Sequence, residues 1–197
     1  MLIKGPKKFW GMTNTAALYV PASGGGGGPT PIASINFRNT SGFVTDGTNE
    51  TYSLGEAFPT TRAGVTFGFD YAIPSSTADR SNTNDPRYAG AVIENGVGFT
   101  ITLPASGVYK VNVVIGDPFG FSTTNQFTIY DNTTSLLASG ALATTTDVYD
   151  INQTSYASFA AYLAGTTPMS LTFSSTTFKL ILDGASNGSL TNITITR

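Results

Sequence analysis

Two arginines and two aspartates crowd one polar stretch of this sequence, Asp79-Arg80 followed by Asp85 and Arg87. Guanidinium groups so placed can grip a carboxylate or neighbouring sugar hydroxyls in planar, two-point fashion. The same four side chains can equally tie a loop together as surface ion pairs, which contribute little. Tyr88 follows the cluster directly. Phe119 and Phe121 stand in Asp117-Pro118-Phe119-Gly120-Phe121, just after an apolar run. Flat rings in a glycine-containing loop suit stacking on sugar faces, although large aromatics also cap cores. Arg80, Arg87, Tyr88, Phe119 and Phe121 are therefore the candidate glycan-binding residues.

Other chemistry is thinly supplied. The chain has no cysteine and no histidine. Disulfides, thiolate metal sites, cysteine nucleophiles and Ser–His–Asp triads are excluded with them. Paired carboxylates would serve a glycosidase, but Glu50, Glu56 and Glu94 sit in no recognisable catalytic setting. The glycine run Gly24–Gly28 lacks the Lys-Ser/Thr and helix of a phosphate loop. Asp46-Gly47 and Gly116-Asp117 offer oxygens for a structural calcium, but such a site needs six to eight. Both dipeptides are equally turn signals. The expectation is a non-enzymatic protein without a cofactor.

Charge is scarce and unevenly placed. Only 11% of residues are charged, against roughly 25% in globular proteins generally. Lys4, Lys7, Lys8 and Arg38 precede the first acid, Asp46, and the body that follows is acidic. Three lysines beside a single Trp are a poor nucleic-acid signal, and none is expected as a partner. Residues 1–21 also hold Phe9, Trp10, Leu18, Tyr19 and Val20, too few to form a core alone. Five glycines and Pro29-Thr30-Pro31 follow, a flexible tether with a stiff end. Lys4, Lys7, Lys8, Phe9, Trp10, Leu18 and Tyr19 are accordingly the expected partner-docking residues of an arm. The N-terminus lacks the apolar run of a signal peptide, and no stretch is long and apolar enough to span a membrane. Six Asn-x-Ser/Thr sequons, at Asn39, Asn49, Asn132, Asn152, Asn187 and Asn192, read as a by-product of Asn and Thr abundance.

The elements that must position these residues are strands. Phe99, Ile101 and Leu103 share one face, and Tyr109, Val111, Val113 and Ile115 share the next. Pro104–Gly107 between them reads as a hairpin turn. Phe127 and Ile129, Leu171 and Phe173, Phe178, Leu180 and Leu182, and Ile193 and Ile195 alternate in the same way. Roughly nine to eleven short strands are expected, with turn signals between them. Ser75–Arg87 reads as a surface loop, and Asn152–Ala164 as either a short helix or strand and loop. The sequence thus predicts an N-terminal docking arm and tether over 1–31. An all-β, antiparallel β-sandwich of the jelly-roll kind follows over 32–197.

The run from Phe99 to Asp117, with Leu103-Pro104 and Gly107-Val108-Tyr109-Lys110-Val111 at its centre, resembles the hairpin of galactose-binding-like and malectin-like jelly rolls. Ile35-Asn36-Phe37 with Gly42, and Gly68-Phe69-Asp70, resemble that family's opening strands. Phe178–Leu182 and Leu190–Ile195 resemble its closing ones. The resemblance implies the sandwich fold over residues 32–197 and carries no intact sugar-binding motif. The layout of arm, glycine tether and sandwich also resembles phage virion accessory proteins. It implies a capsid decoration or fibre/tail component, held to other virion proteins by its arm and forming a homo-oligomer. The alternative is a carbohydrate-binding module for adhesion or host-surface recognition, extracellular or at a cell surface, with a surface polysaccharide as ligand.

Overall fold

The computed structural model describes residues 31–38, 50–79, 90–116, 124–143, 147–183 and 188–197. Seventeen strands, one α-helix and one 3-10 turn account for their regular structure. In chain order these are β1 (Pro31–Phe37), β2 (Glu50–Ser53), β3 (Thr60–Arg62), β4 (Val65–Phe69), a 3-10 turn (Pro74–Ser76), β5 (Thr77–Asp79), β6 (Gly90–Glu94), β7 (Gly98–Thr102) and β8 (Gly107–Ile115). Then come β9 (Thr124–Asn125), β10 (Phe127–Asp131), β11 (Thr134–Ala138), β12 (Leu142–Ala143), β13 (Val148–Tyr149) and β14 (Ser155–Tyr156). Helix α1 (Phe159–Gly165), β15 (Met169–Phe173), β16 (Thr177–Leu182) and β17 (Gly188–Thr196) complete the series. The count exceeds the nine to eleven expected, because strands of two or three residues leave no readable period.

Two sheets face each other. The six-stranded sheet runs β11-β10-β16-β7-β4-β3. The nine-stranded sheet is built on β14-β13-β8-β17-β1-β2, with β15 beside β8 and β6 joining β17 to β5. Pairing is antiparallel except between β1 and β2, and at one parallel bridge between Ala57 and Phe69. The expected all-β antiparallel sandwich is what the chain forms.

Alternation drives this arrangement, because side chains along a strand point to opposite faces and only one face meets the core. Phe99, Ile101, Leu103, Tyr109, Val111, Val113, Ile115, Phe173, Leu180, Leu182, Ile193 and Ile195 are all buried. Phe37, Phe69 and Phe99 meet between the sheets with ring centroids 4.7 to 5.8 Å apart and tilted or edge-on planes, the geometry aromatic quadrupoles favour. A second, small cluster of Val114, Val148 and Tyr162 lies apart, where α1 contacts β13 and β14. Ser158 caps that helix by accepting from Ala161 N at 3.2 Å.

Two expectations need correction. Pro104–Gly107 does not close a hairpin: β7 pairs with β4 and β16, whereas β8 pairs with β13, β15 and β17 in the other sheet. The turn is an arch between layers. Alternation cannot tell the two apart, since either connection points its apolar face at the same core. The polar turn after Phe173 is a second such arch, from β15 to β16, and Leu103 N donates to Thr176 O across the pair at 2.8 Å. The start of the expected Ser75–Arg87 loop is ordered by backbone pairing, with Thr77–Asp79 laddered to Gly90–Val92. Polar side chains hide a strand whose stability comes from its ladder. Asn152–Ala164 divides between the two readings, giving β14 and then α1.

Candidate functional site

The outer face of the six-stranded sheet gathers the most varied chemistry among the described residues. Burying Phe67, Phe69, Phe99, Ile101, Phe178, Leu180, Phe127 and Ile129 turns their neighbours outward. Register then sets Tyr130, Lys179, Thr100 and Gly68 in one row across β10, β16, β7 and β4. Three strand spacings make that row about 14 Å long. Thr128, Ile181 and Gly98 form the row on one side. Thr177 and Thr102 lie on the other, with Thr66 close to Thr61 on β3. Hydroxyls therefore dominate the face.

Its centre is an ion pair laid flat on the sheet. Lys179 Nζ donates to Asp70 Oδ1 at 2.7 Å and to Oδ2 at 3.0 Å. Asp70 Oδ2 also accepts from Gly98 N at 3.1 Å. Gly98 makes this possible: a Cβ there would stand 2.1 Å from Lys179 Cε and 2.7 Å from Asp70 Oδ2. The missing side chain is the bed in which the lysine lies. Lys179 and Asp70 keep 26% and 42% of their side-chain surface exposed, so both retain hydrogen-bonding capacity toward solvent or a ligand. Asp183 accepts from Thr128 Oγ1 at 2.9 Å on the same side.

Two exposed aromatic residues lie on the segments that carry this centre or pair with them. Tyr71 follows Asp70 and is 57% exposed, and Phe58 is 40% exposed. Phe58 is held against β4: its N–H donates to Phe69 O at 2.8 Å, and Phe69 N donates to Glu56 O at 2.9 Å. The Phe58–Pro59 peptide is cis. Gly68, at φ +152°, admits this segment, because a Cβ would meet Phe58 N at 2.4 Å. An L side chain at Gly68 is thus opposed by both space and conformation.

Most other acids among the described residues are committed to structure. Glu56 takes Arg62 at 2.5 Å, Ser53 Oγ at 2.9 Å and Leu54 N at 2.7 Å. Burial favours its neutral form, but the Arg62 guanidinium and the other donors outweigh that and lower its pKa. Arg62 also lies 4.2 Å over the Tyr52 ring and closes the gap between β2 and β3. Asp131 accepts from the N–H and hydroxyl of both Ser174 and Ser175, which clamps the second arch. Those serine hydroxyls hold its pKa down at about 2. Asp150, buried, accepts from Asn152 N, Thr154 N, the Tyr156 hydroxyl and Thr166 Oγ1. Desolvation first, and then Asp150, raises the pKa of Tyr156. Among the described residues no cluster of acids is arranged to hold a metal.

The candidates taken from sequence are not among the described residues. Arg80, Arg87, Tyr88, Phe119 and Phe121 lie outside the described residues, as do Lys4, Lys7, Lys8, Phe9, Trp10, Leu18 and Tyr19. Asp46 and Asp117, the calcium candidates, lie outside them too. The sequence reading missed Asp70, Lys179, Tyr130, Tyr71 and Phe58. The one signal available was Thr100, Thr102 and Lys179 alternating with core residues.

No protein-family model matches the chain, and no curated protein matches it. Among solved structures it is similar to Bacteroides uniformis beta-glucuronidase 2, at 14% identity and a TM-score of 0.49, over 84% of this chain and 17% of that one. It thus spans about a sixth of that enzyme's length. It is also similar to the C-terminal CBM6 of LamC, a marine laminarinase from Zobellia galactanivorans, at 15% identity and a TM-score of 0.35, over 61% and 86% of the two chains. A third is the carbohydrate-binding module CBM6cm-2 from Cellvibrio mixtus lichenase 5A, in complex with cellotriose, at 14% identity and a TM-score of 0.37, over 62% and 88%.

Proposed function

We propose that this chain is a non-catalytic carbohydrate-binding module, acting outside the cell or at its surface, whose ligand lies on the outer face of the six-stranded sheet. The observation that carries this reading is the Asp70–Lys179 pair, bedded on Gly98 among threonines, with the exposed Tyr71 next in the chain to Asp70 and the exposed Phe58 hydrogen-bonded through its backbone to Phe69. A sugar ring presents hydroxyls around its edge and C–H groups on its faces. Asp70 is an acceptor for two such hydroxyls, Lys179 a donor, and threonines serve as either. Hydrogen bonds to charged groups are the stronger kind. Tyr71 and Phe58 offer flat apolar surface for a ring face. The pair is already assembled before ligand arrives, so little ordering is left to oppose binding.

A glycan array with the whole chain, followed by affinity electrophoresis in the polysaccharides it selects, tests the reading. Binding is expected, and D70A/K179A and Y71A should each weaken it at least tenfold, about 1.4 kcal/mol. An array without any hit removes the function. Hits that survive both variants move the site elsewhere, with Arg80, Arg87, Tyr88, Phe119 and Phe121 the next residues to replace.

A second reading, a virion accessory protein, draws its support from the sequence of the arm. Lysines and aromatics ahead of five glycines suit attachment to another protein chain. The two readings are compatible, since an attached protein can also bind sugar.

A further inference from the structure

We infer that the ligand of the six-stranded face is an uncharged polysaccharide, chosen against uronate, sulfated and amino sugars by the Asp70–Lys179 pair. The inference rests on the carbohydrate reading above and names the class of sugar. An ammonium only donates, and a carboxylate only accepts. Lys179 directs two N–H groups to Asp70, at 2.7 and 3.0 Å, and one remains. The stem of the lysine lies over Gly98, which keeps the ammonium beside Asp70. What the pair presents to a ligand is therefore a donor next to an acceptor, with their charges already cancelled. A sugar hydroxyl answers both, accepting from Lys179 and donating to Asp70. A carboxylate or sulfate oxygen answers Lys179 alone and sets its own charge against Asp70. The ammonium of an amino sugar answers Asp70 alone and stands against Lys179. Polar groups left facing their like are what make a site reject a near-analogue.

The surroundings weigh further against anions. Among the described residues this face holds no second Lys or Arg, while the exposed Asp183 adds a negative charge beside Thr128. Thr66, Thr100, Thr102 and Thr177 supply hydroxyls in place of cations. The rest of the sandwich leans the same way. Residues 32–197 hold all twelve acids of the chain but seven of its ten bases, Arg80 and Arg87 among them. An acidic polymer carries charge along its whole length and meets this field wherever it lies. Uncharged hydroxyls meet no such opposition and find matched partners at the pair.

Affinity electrophoresis of the full chain tests this, in gels holding mixed-linkage β-glucan, galactomannan or dextran, and in gels holding polygalacturonate, chondroitin sulfate or chitosan. Retention is expected in at least one neutral gel and in none of the charged ones. Affinity for the neutral polymer should change less than about twofold between roughly 20 mM and 1 M NaCl. Carboxymethylating that polymer should weaken binding at least about tenfold, whereas hydroxyethylating it to the same degree should not. D70N/D183N leaves the Lys179 charge uncancelled, and should lose the neutral polymer and gain salt-sensitive retention by polygalacturonate. D70A/K179A should keep the wild-type circular dichroism spectrum and lose the neutral polymer. Retention by polygalacturonate, chondroitin sulfate or chitosan that D70A/K179A abolishes overturns the proposal and leaves the carbohydrate reading of the face standing. Neutral binding that survives D70A/K179A overturns it as well, because the pair then does not choose the ligand. Retention in no gel removes the reading and the proposal together.

Discussion

The hydroxyl of Tyr109 donates to the carbonyl of Ala105 at 2.7 Å, tying the first residues of β8 back to the arch that delivers them. The ring is fully buried, edge-on to Phe173 at 6.0 Å, with the Arg197 guanidinium 5.5 Å from its centroid. One side chain thus fixes the crossing between sheets from the inside. Tyr109→Phe keeps the ring and loses the bond, and should cost about 0.5–1.5 kcal/mol in urea unfolding. Tyr109→Ala should cost about 3–5 kcal/mol, since it also opens a cavity beside Phe173. A phenylalanine variant as stable as the parent would show that the Ala105 carbonyl is equally well served by water.

Asp131 does for the second arch what Tyr109 does for the first. Its carboxyl is held at about 2, against 3.8 when unperturbed. A pKa lowered by folding means that the unfolded chain takes up the proton first as acid is added. The clamp's contribution is therefore whole above pH ~4 and is lost as pH falls from there through about 2. Asp131→Asn should cost about 1–3 kcal/mol at neutral pH, because serine donors are left facing an amide. The variant should also lose stability less steeply between pH 4 and 2. Parallel acid-denaturation curves for the two proteins would remove Asp131 from the account.

Gly98→Ala separates binding from folding at the proposed ligand face. The added Cβ strikes the flexible end of Lys179 rather than backbone, so the lysine swings off Asp70. The pair is partly exposed and contributes little to stability, and the melting curve should move by less than about 1 kcal/mol. Affinity for the polysaccharide found on the array should fall severalfold. Unchanged affinity with Lys179 displaced would exclude the pair from recognition.

The arm gives a prediction that depends on no glycan. Residues 1–28 lie ahead of β1, and deleting them should leave a folded, soluble sandwich. Burying Phe9 and Trp10 on a partner is worth roughly 1.5–3 kcal/mol each, opposed by about 1–2 kcal/mol for every tether residue that becomes fixed. If the arm is the anchor, the truncated protein should fail to join the assembly that the full chain joins. Incorporation at the full-length level would place the attachment on the sandwich.

What the sequence determined by itself was the local pattern. Alternation named the core residues from Phe99 to Ile195, because period two is fixed by the strand's own geometry and each buried face is apolar. Missing histidine and cysteine removed whole classes of catalysis without reference to any fold. Tertiary structure decided which strands are neighbours. Pro104–Gly107 reads as a hairpin, yet it crosses between sheets, and both routes bury the same side chains. Asp70 and Lys179 stand 109 positions apart, and their meeting depends on β4 and β16 flanking β7 and on the empty place at Gly98. A side-chain period says which face of a strand is wet, but only the order of strands in the sheet says which wet residues share it.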